Sequence, residues 1–325
     1  MLNAMYSGIS GLNANQRKLD VIGNNIANSG TTSFKSSRVT FQDSMRQSIS
    51  KATGSSLNVG GTNPKQVGMG VQLQSIDVNT GQGNLQPTGR PLDVAIDQSG
   101  YFIVSKGAVT GKIGLDATNN SINGGDMENY FTRDGAFRLT SEGYLVTPNG
   151  YRVMGYVVND SITHGADGIK ATFKDADEAL TTGTELVPLA IPETVEKGGE
   201  QMKIQSYSIE KDGLLKATLT DGSVTVLGQF AMATFNNTGA LEAVGQNMYT
   251  PTSNSGDAIV RTGKGAAKDN GKAYGDMIQG CLEMSNVDLA EQFTDMIVAS
   301  RSFQACSKVI TTGDEILQEL VNLKR

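Results

Sequence analysis

The residues that could do covalent chemistry are few, and none stands in a catalytic pattern. His164 is the only histidine of the 325-residue chain, so a Ser–His–Asp or Cys–His arrangement would have to be built around it. It lies in a Gly-rich turn with no serine or cysteine motif beside it. Cys281 and Cys306 lack CxxC spacing, and no His/Cys cluster indicates a metal site. The sequence therefore favours a protein that is not an enzyme.

Sites for ligands are equally weak. Two acidic turns, beginning at Asp97 and Asp116, resemble calcium loops, but Ala108 and Met127 stand where position 12 needs an acidic ligand. Glycines form neither a Gly-x-Gly-x-x-Gly motif nor a Walker loop. No cofactor and no metal are expected. A pair of carboxylates on facing strands, as in a glycosidase, stays open because one sequence does not exclude it.

Charge and hydropathy narrow the possible partners. The net charge of −6 argues against nucleic-acid binding. Residues 1–65 hold seven Lys/Arg and two Asp/Glu, so this segment is basic and the rest of the chain is acidic. The two parts could attract each other within or between subunits. No run of 18 apolar residues is present, and we expect no membrane insertion. The start resembles no secretory signal, which predicts a cytosolic protein or export without a cleaved signal. No disulfide is expected.

The elements that must position any functional surface are two terminal helices. In the first, apolar residues recur at heptad spacing with others between them, and Gly30 is placed for a left-handed cap. We expect this helix over residues 4–28. Gly8, Gly11 and Gly23 weaken it by up to ~1 kcal/mol each relative to Ala, so it needs a partner. Its apolar positions are Met5, Ile9, Leu12, Leu19, Ile22 and Ile26.

The C-terminal segment supplies a matching pattern. Ser285-Asn286-Val287-Asp288 fits a Ser-x-x-acid start signal in which Ser285 caps the helix, and a helix is expected over residues 286–323. A helix that only covers a domain core stays an alternative, but matched patterns at both ends favour a coiled-coil-like pair used in self-assembly. The apolar positions are Leu289, Phe293, Met296, Ala299, Phe303, Cys306, Ile310, Leu317 and Leu320.

Between the helices the apolar period changes to two, with regular turn signals, which predicts an antiparallel sandwich or barrel. We expect a multidomain, mostly β protein. Its parts are a helical domain (1–30 and 280–325), a connector (31–70 and 263–279), a β body (71–158 and 204–262) and a small inserted outer β domain (159–203).

Motifs at both ends and in the middle resemble the flagellar rod and hook (axial) protein family. The terminal signatures contain Asn24, Asn25, Asn28, Phe34 and Lys35, then Ser285, Asn286, Asp288, Arg301 and Lys308. The internal matches are 92–102, 131–137 and 143–150, and the resemblance covers most of the chain except 105–129 and 159–203. Residues 228–237, 245–249 and 314–325 look hook-like, and a distal rod subunit is the alternative.

The resemblance implies a structural subunit that is exported unfolded by the flagellar type III system and polymerises into a helical tube. Its terminal helices would line the inner wall, and a hook would act as a flexible joint carrying torque from rod to filament. The implied partners are copies of the chain itself and the rod, hook-cap and hook–filament junction proteins. The implied location is the flagellum, outside the cell after export. A secreted adhesin or carbohydrate-active enzyme with a coiled-coil anchor is the hypothesis from another class.

Overall fold

The computed structural model describes residues 2–54, 60–116, 120–125, 127–159, 161–165, 168–175, 181–261 and 275–323. The chain divides into two compact units. The first unit takes residues 1–30, 35–79 and 287–325, and the second takes residues 31–34 and 80–286. Two units are fewer than the four expected parts, because strands of the expected connector and of the expected insertion pair within these two.

The first unit contains both helices and two small antiparallel sheets. The helices are α1 (Leu2–Ala27) and α2 (Leu289–Leu323). The strands are β1 (Ser37–Asp43), β2 (Arg46–Ser50), β3 (Lys65–Gly68) and β4 (Val71–Val78), with β1 paired to β4 and β2 to β3. Residues 35–78, expected to be a connector followed by the first strand of the β body, thus form hairpins of the helical unit.

Both helix ends differ from the expected signals. The positive φ beyond α1 belongs to Ser33, at 56°, and not to Gly30. The start of α2 is capped by Asp288, whose Oδ1 accepts the backbone N–H groups of Ala290 at 2.8 Å and Glu291 at 3.3 Å. The prediction that Ser285 caps this helix was wrong. It failed because the first helical residue is Leu289, so Asp288 occupies the position that precedes the first turn.

The second unit is built from antiparallel strands, as the period-two pattern predicted, and the mostly β fold with a helix at each end is confirmed. The strands are β5 (Leu85–Pro87), β6 (Val94–Ile96), β7 (Tyr101–Lys106), β8 (Ile113–Leu115), β9 (Ile122–Gly125), β10 (Glu128–Thr132), β11 (Arg138–Leu139), β12 (Leu145–Val146), β13 (Arg152–Val158), β14 (Ile162–Gly165), β15 (Gly168–Ala171), β16 (Thr182–Pro188), β17 (Thr194–Lys197), β18 (Glu200–Ile209), β19 (Leu214–Leu219), β20 (Val224–Phe230), β21 (Met232–Thr234), β22 (Glu242–Gly245), β23 (Met248–Thr250), β24 (Ile259–Arg261), β25 (Met277–Gln279) and β26 (Cys281–Glu283).

One sheet carries most of these strands in the order β17-β18-β19-β20-β13-β7-β10-β23-β22. Strand β7 lies inside this sheet, and its residues 101–105 are buried. Successive side chains of a strand point to opposite sides of the sheet. Phe102 and Val104 pack into one apolar core with Leu145 and Phe230. Tyr101 and Ile103 pack into another, with Phe131, Met154 and Tyr156. The two larger apolar cores of the β body therefore lie on opposite sides of the sheet, and Val158, Leu214 and Val226 form a third, small cluster.

Residues 159–203 were expected to form a small inserted domain. In the structure β16 pairs with β13 and β8, and β17 and β18 extend the main sheet through β19. Among the described strands of this stretch, only the hairpin β14–β15 forms a separate two-stranded sheet. The irregular composition of this stretch suggested a boundary, but long-range strand pairing joins it to the β body. Of the expected return connector, residues 263–274 lie outside the described residues.

Candidate self-assembly surface

The two helices of the first unit pack against each other in opposite directions. Residues near the start of α1 meet residues near the end of α2: a β-carbon placed on Gly11 would lie 3.0 Å from Sγ of Cys306, and one on Gly8 would lie 3.2 Å from Cγ1 of Ile310. Toward the other end, Lys18 Nζ lies 3.3 Å from Asp295 Oδ1. Two glycines that lower helix propensity thus allow close approach of the helices, a role that propensity alone did not reveal.

A buried asparagine joins both helices to a strand. Asn25 is fully buried, and its Nδ2 donates to Ser37 O at 2.8 Å and to Gln292 Oε1 at 3.0 Å, while its Oδ1 accepts Ser37 N–H at 3.0 Å. Three hydrogen bonds satisfy the amide at a site where a lone polar group would be costly. The signature residue Asn25 therefore holds α1, α2 and β1 together.

Other signature residues have local roles. Asn28 donates to O and Oδ1 of Asn24, both at 3.0 Å, at the end of α1. In the second unit, Asn286 N–H donates to Phe34 O at 3.3 Å, and its Nδ2 donates to Gly81 O at 3.0 Å. Lys35 is buried and Ser285 is half-buried. Arg301 and Lys308 are exposed on α2.

Pairing of the helices buries only part of the expected seam. Ile22 and Ala299 are buried. Half-buried positions form the larger group, namely Met5, Leu12, Leu19, Ile26, Met296, Phe303, Cys306, Ile310 and Leu317. The remaining seam positions, Ile9, Leu289, Phe293 and Leu320, are exposed. One subunit alone therefore does not cover the apolar face that its helices present.

The two units differ sharply in how much apolar surface they expose. Among the described residues of the second unit, the exposed large apolar side chains are Leu139, Val224 and Val244. The first unit exposes many more, including Phe293 at 50% and Ile297 at 62%. On a soluble domain such surface is uncommon and marks an interaction site. The candidate functional surface therefore lies on the first unit.

Sequence reasoning missed part of this surface. Ile297, Val298, Val309 and Ile316 are exposed on α2 outside the predicted seam. These residues do not form a single heptad series, so they do not belong to the one apolar stripe predicted for this helix. Val309 and Ile316, however, are seven residues apart, and this spacing could have indicated a second apolar face.

A buried ion pair in the second unit was also missed. Arg133 Nε donates to Glu283 Oε2 at 2.8 Å, and Glu283 Oε1 accepts Gly83 N–H at 2.8 Å. Ser33 joins the same cluster, because its Oγ donates to Arg133 O and its N–H donates to Glu283 O, both at 2.8 Å. Segments 31–34, 80–84 and 283–286 are thus fastened together inside the second unit. The charges lie in motifs far apart in sequence, so spacing gave no sign of the pair.

Two tyrosines beside this ion pair have perturbed ionisation. Burial raises the pKa of Tyr249 to about 12, assisted by the nearby Tyr101. Burial likewise raises the pKa of Tyr101, although the Arg133 guanidinium opposes the shift. Burial therefore keeps both hydroxyls in the neutral form throughout the physiological range.

The residues considered for chemistry do not converge. His164 stacks on Tyr144 with 5.8 Å between ring centroids, and burial together with the Lys112 charge lowers its pKa. Cys281 and Cys306 are half-buried free thiols. Asp97 accepts a hydrogen bond from Gln82 Nε2 at 3.1 Å, while residues 117–119 and 166–167 of the other two turns lie outside the described residues.

The described part of the chain contains neither a cluster of metal ligands nor a membrane-spanning helix. Its residues include no group of three or more His, Cys, Asp or Glu side chains arranged to hold a metal ion. Neither of its two long helices has the length and apolarity needed to cross a membrane.

Comparisons with known proteins match both ends and the middle of the chain. The model for "Flagella basal body rod protein" matches residues 5–35, and that for "Flagellar basal body rod FlgEFG protein C-terminal" matches residues 278–323. The model for "Flagellar hook protein FlgE/F/G D1 domain" matches residues 121–217. The matches therefore include α1, α2 and a large part of the β body.

Full-length relatives agree. The flagellar basal-body rod protein FlgG of Bacillus subtilis (strain 168) is 40% identical over 325 residues, with 100% of both chains covered. In Borreliella burgdorferi, the flagellar hook protein FlgE is 30% identical over 467 aligned positions, and the rod protein FlgG is 30% identical over 327, again with 100% of each chain covered. The resemblance seen in the terminal motifs is confirmed: the chain belongs to the family of flagellar rod and hook proteins, the structural subunits of the flagellar axis.

Proposed function

We propose that this protein is a subunit of the flagellar hook, which polymerises into a flexible tubular joint that transmits torque from rod to filament. The observation that carries the proposal is a comparison within one organism. Borreliella burgdorferi has both a hook and a rod relative of this chain, and each is 30% identical to it. The two percentages rest on alignments of very different length.

The number of identical residues favours the hook relative. An alignment of 467 positions exceeds the 325 residues of this chain, so at least 142 positions face gaps. Taking 30% of 467 gives about 140 identical residues, whereas 30% of 327 gives about 98. Outside the insertions, the hook relative therefore shares more of this chain. This chain is short for a hook subunit, and the lack of those insertions accounts for its length.

The surface of the first unit supports polymerisation. Phe293, Ile297 and Val309 are exposed on α2, although the helix already packs against α1 on another side. A helix with apolar residues on several sides is stable in water only when neighbours cover them. Copies of the same chain supply such neighbours in a tube whose inner wall is made of terminal helices. The second unit, with few exposed apolar side chains, suits the outer layers, which must slide as the tube bends.

The family also suggests how the subunit reaches its place. We propose export through the flagellar type III channel without cleavage, and assembly outside the cell with rod, hook-cap and hook–filament junction proteins as further partners. In the free subunit the terminal helices are expected to be largely disordered and to fold on assembly, because their apolar faces then gain partners. Amide exchange of monomer and polymer tests this: strong protection of residues 5–26 and 289–320 in the monomer contradicts it.

The decisive experiment is to polymerise the purified full-length chain and examine the product by negative-stain electron microscopy. A curved tube that supercoils is the expected result. A straight, rigid tube would contradict the hook proposal. Failure to form any tube under conditions that preserve the tyrosine near-UV signal of the β body would contradict polymerisation itself.

A distal rod subunit is the second candidate. It is favoured by the Bacillus subtilis rod relative, which is 40% identical with 100% coverage of both chains. The same micrographs separate the two functions, because a rod must transmit torque along a straight axis whereas a hook must bend.

A further inference from the structure

A line of charged side chains follows one exposed face of α2, away from α1. Arg301, Lys308 and Glu315 are spaced by seven residues, and Glu319 follows four residues later, so all four share one face of the helix. Arg301 and Lys308 line a shallow groove of about 470 Å³ together with Ala305. The basic charges thus occupy the middle of the helix and the acidic charges its last turns.

Within the residues that the structure describes, these charges have no opposite partner. Among the described residues, the ion pair made by α2 joins Asp295 to Lys18 of α1, and none involves Arg301, Lys308, Glu315 or Glu319. All four side chains are exposed. A helix that carries separated blocks of opposite charge on one face is complementary to a shifted copy of itself.

We propose that this face binds α2 of a second copy of the chain, in parallel orientation and displaced along the helix axis. The displacement places Glu315 and Glu319 of one copy against Arg301 and Lys308 of the other. The separations are 14 and 11 residues, which correspond to about 16–21 Å at 1.5 Å per residue. Without displacement, Arg301 would face Arg301 and Glu315 would face Glu315, which is unfavourable.

Apolar side chains beside the charged line would stabilise the contact, and the charges would set its register. Val309, Ile316 and Leu320 lie beside the charged line and are 46%, 47% and 49% exposed. In helical interfaces, apolar contacts provide most of the stability, and flanking charges select the register and orientation. The inference rests on the proposed polymer and adds the contact by which each copy selects its axial position.

An antiparallel pair would also match the charges, but it has a different consequence. An antiparallel contact is isologous and closes into a dimer. A parallel, displaced contact is heterologous, and it leaves Arg301 and Lys308 of one copy and Glu315 and Glu319 of the other available to further copies. Only the displaced parallel contact is compatible with a tube in which every subunit points the same way.

The test uses two full-length variants with charge of a single sign along the face. R301E/K308E makes the line wholly acidic, and E315K/E319K makes it wholly basic. Each exposed pair is expected to contribute a two- to fivefold effect at most, so reversing both should raise the critical concentration for polymerisation about tenfold at low salt. High salt should shrink the difference. An equimolar mixture of the two variants should assemble near the wild-type concentration.

A charge reversal at an exposed site of the β body, K203E, serves as the matched control and should leave assembly unchanged. The near-UV signal of tyrosine checks that each variant stays folded. Normal assembly of either single-sign variant alone, or failure of the mixture, would overturn the inference. A discrete dimer that responds to the same reversals would also overturn it, in favour of antiparallel pairing.

These outcomes separate the register from the hook proposal. Tube curvature in the wild type tests the hook, whatever the variants do. A curved wild-type tube with unaffected variants overturns only the register, and a straight tube with the expected variant pattern overturns only the hook. A wild-type chain that stays monomeric contradicts both.

Discussion

The buried ion pair of the β body should be the most sensitive point of the second unit. The side chains of Arg133 and Glu283 are 4% and 0% exposed. Replacing Arg133 by Ala removes the 2.8 Å contact to Glu283 and the donor that binds Gln98 O at 2.7 Å. The Glu283 carboxylate would then stay buried without its guanidinium partner, although Gly83 N–H still donates to it. Removing one member of such a pair typically costs about 3–5 kcal/mol, a large share of the 5–15 kcal/mol that stabilises an ordinary domain.

Urea denaturation followed by near-UV circular dichroism of tyrosine measures this loss in the right unit. The chain has nine tyrosines and no tryptophan, and only Tyr6 belongs to the first unit. The tyrosine signal therefore reports on the β body and is little affected by unfolding of the helices. Arg133→Ala should lower the midpoint strongly, with a smaller effect on the far-UV signal of α1 and α2.

Two further variants decide whether the reasoning is right. Lys112→Ala removes an exposed pair with Glu185, whose side chains are 61% and 51% exposed, and should cost about 0.2–1 kcal/mol. Arg133→Met with Glu283→Leu removes both charges and leaves the Gly83 N–H without its acceptor, so it should cost about 1–3 kcal/mol. If Arg133→Ala costs no more than Lys112→Ala, or the double variant costs more than the single one, the pair does not act as a buried charge pair.

Three other perturbations have defined outcomes. Gly11→Leu should prevent α1 and α2 from packing and should abolish polymerisation. Gly23→Ala is the control, because no atom lies within 4 Å of an added β-carbon, and it should leave assembly intact and raise helicity. Equal assembly of both variants would contradict the close approach of the helices at Gly11. Asp288→Ala should cost about 0.5–2 kcal/mol in α2 stability by loss of the cap, measured as helix content of the polymer on heating, and Asp288→Asn should preserve it. The raised pKa of Tyr249 means that the folded state keeps a proton which the unfolded state loses, so the free energy of unfolding should fall by about 2 kcal/mol between pH 10 and 12. Tyr249→Phe should flatten this dependence of unfolding free energy on pH. An unchanged dependence would assign the titration to another group.

The features predicted from sequence are those that depend on local pattern. Heptad spacing from Met5 to Ile26 and from Leu289 to Leu320 predicted both helices, because the period of apolar residues reflects the geometry of one element. Alternation from Val71 to Ile76 and regularly spaced turn signals predicted antiparallel strands for the same reason. The terminal motifs predicted the family.

Features that depend on residues distant in sequence were not predicted. The Arg133–Glu283 pair joins positions 150 residues apart, and no rule of spacing connects them. The strands of 159–203 were expected to form a separate domain, yet their pairing with β13 and β19 is decided by contacts made elsewhere in the sheet. Ser285 was expected to cap α2 because it fits a motif. The cap is Asp288, because this residue directly precedes the first helical residue.

Patterns along the chain were thus enough to predict two terminal helices with apolar faces and a β body between them. Which of those faces are used inside the subunit, and which are free, depends on how the elements pack in space. Packing of Gly8 and Gly11 against α2 occupies one side of each helix, and Phe293, Ile297 and Val309 are left exposed. Periodicity reports that a face is apolar, but only the positions of its neighbours in space determine whether the face is covered.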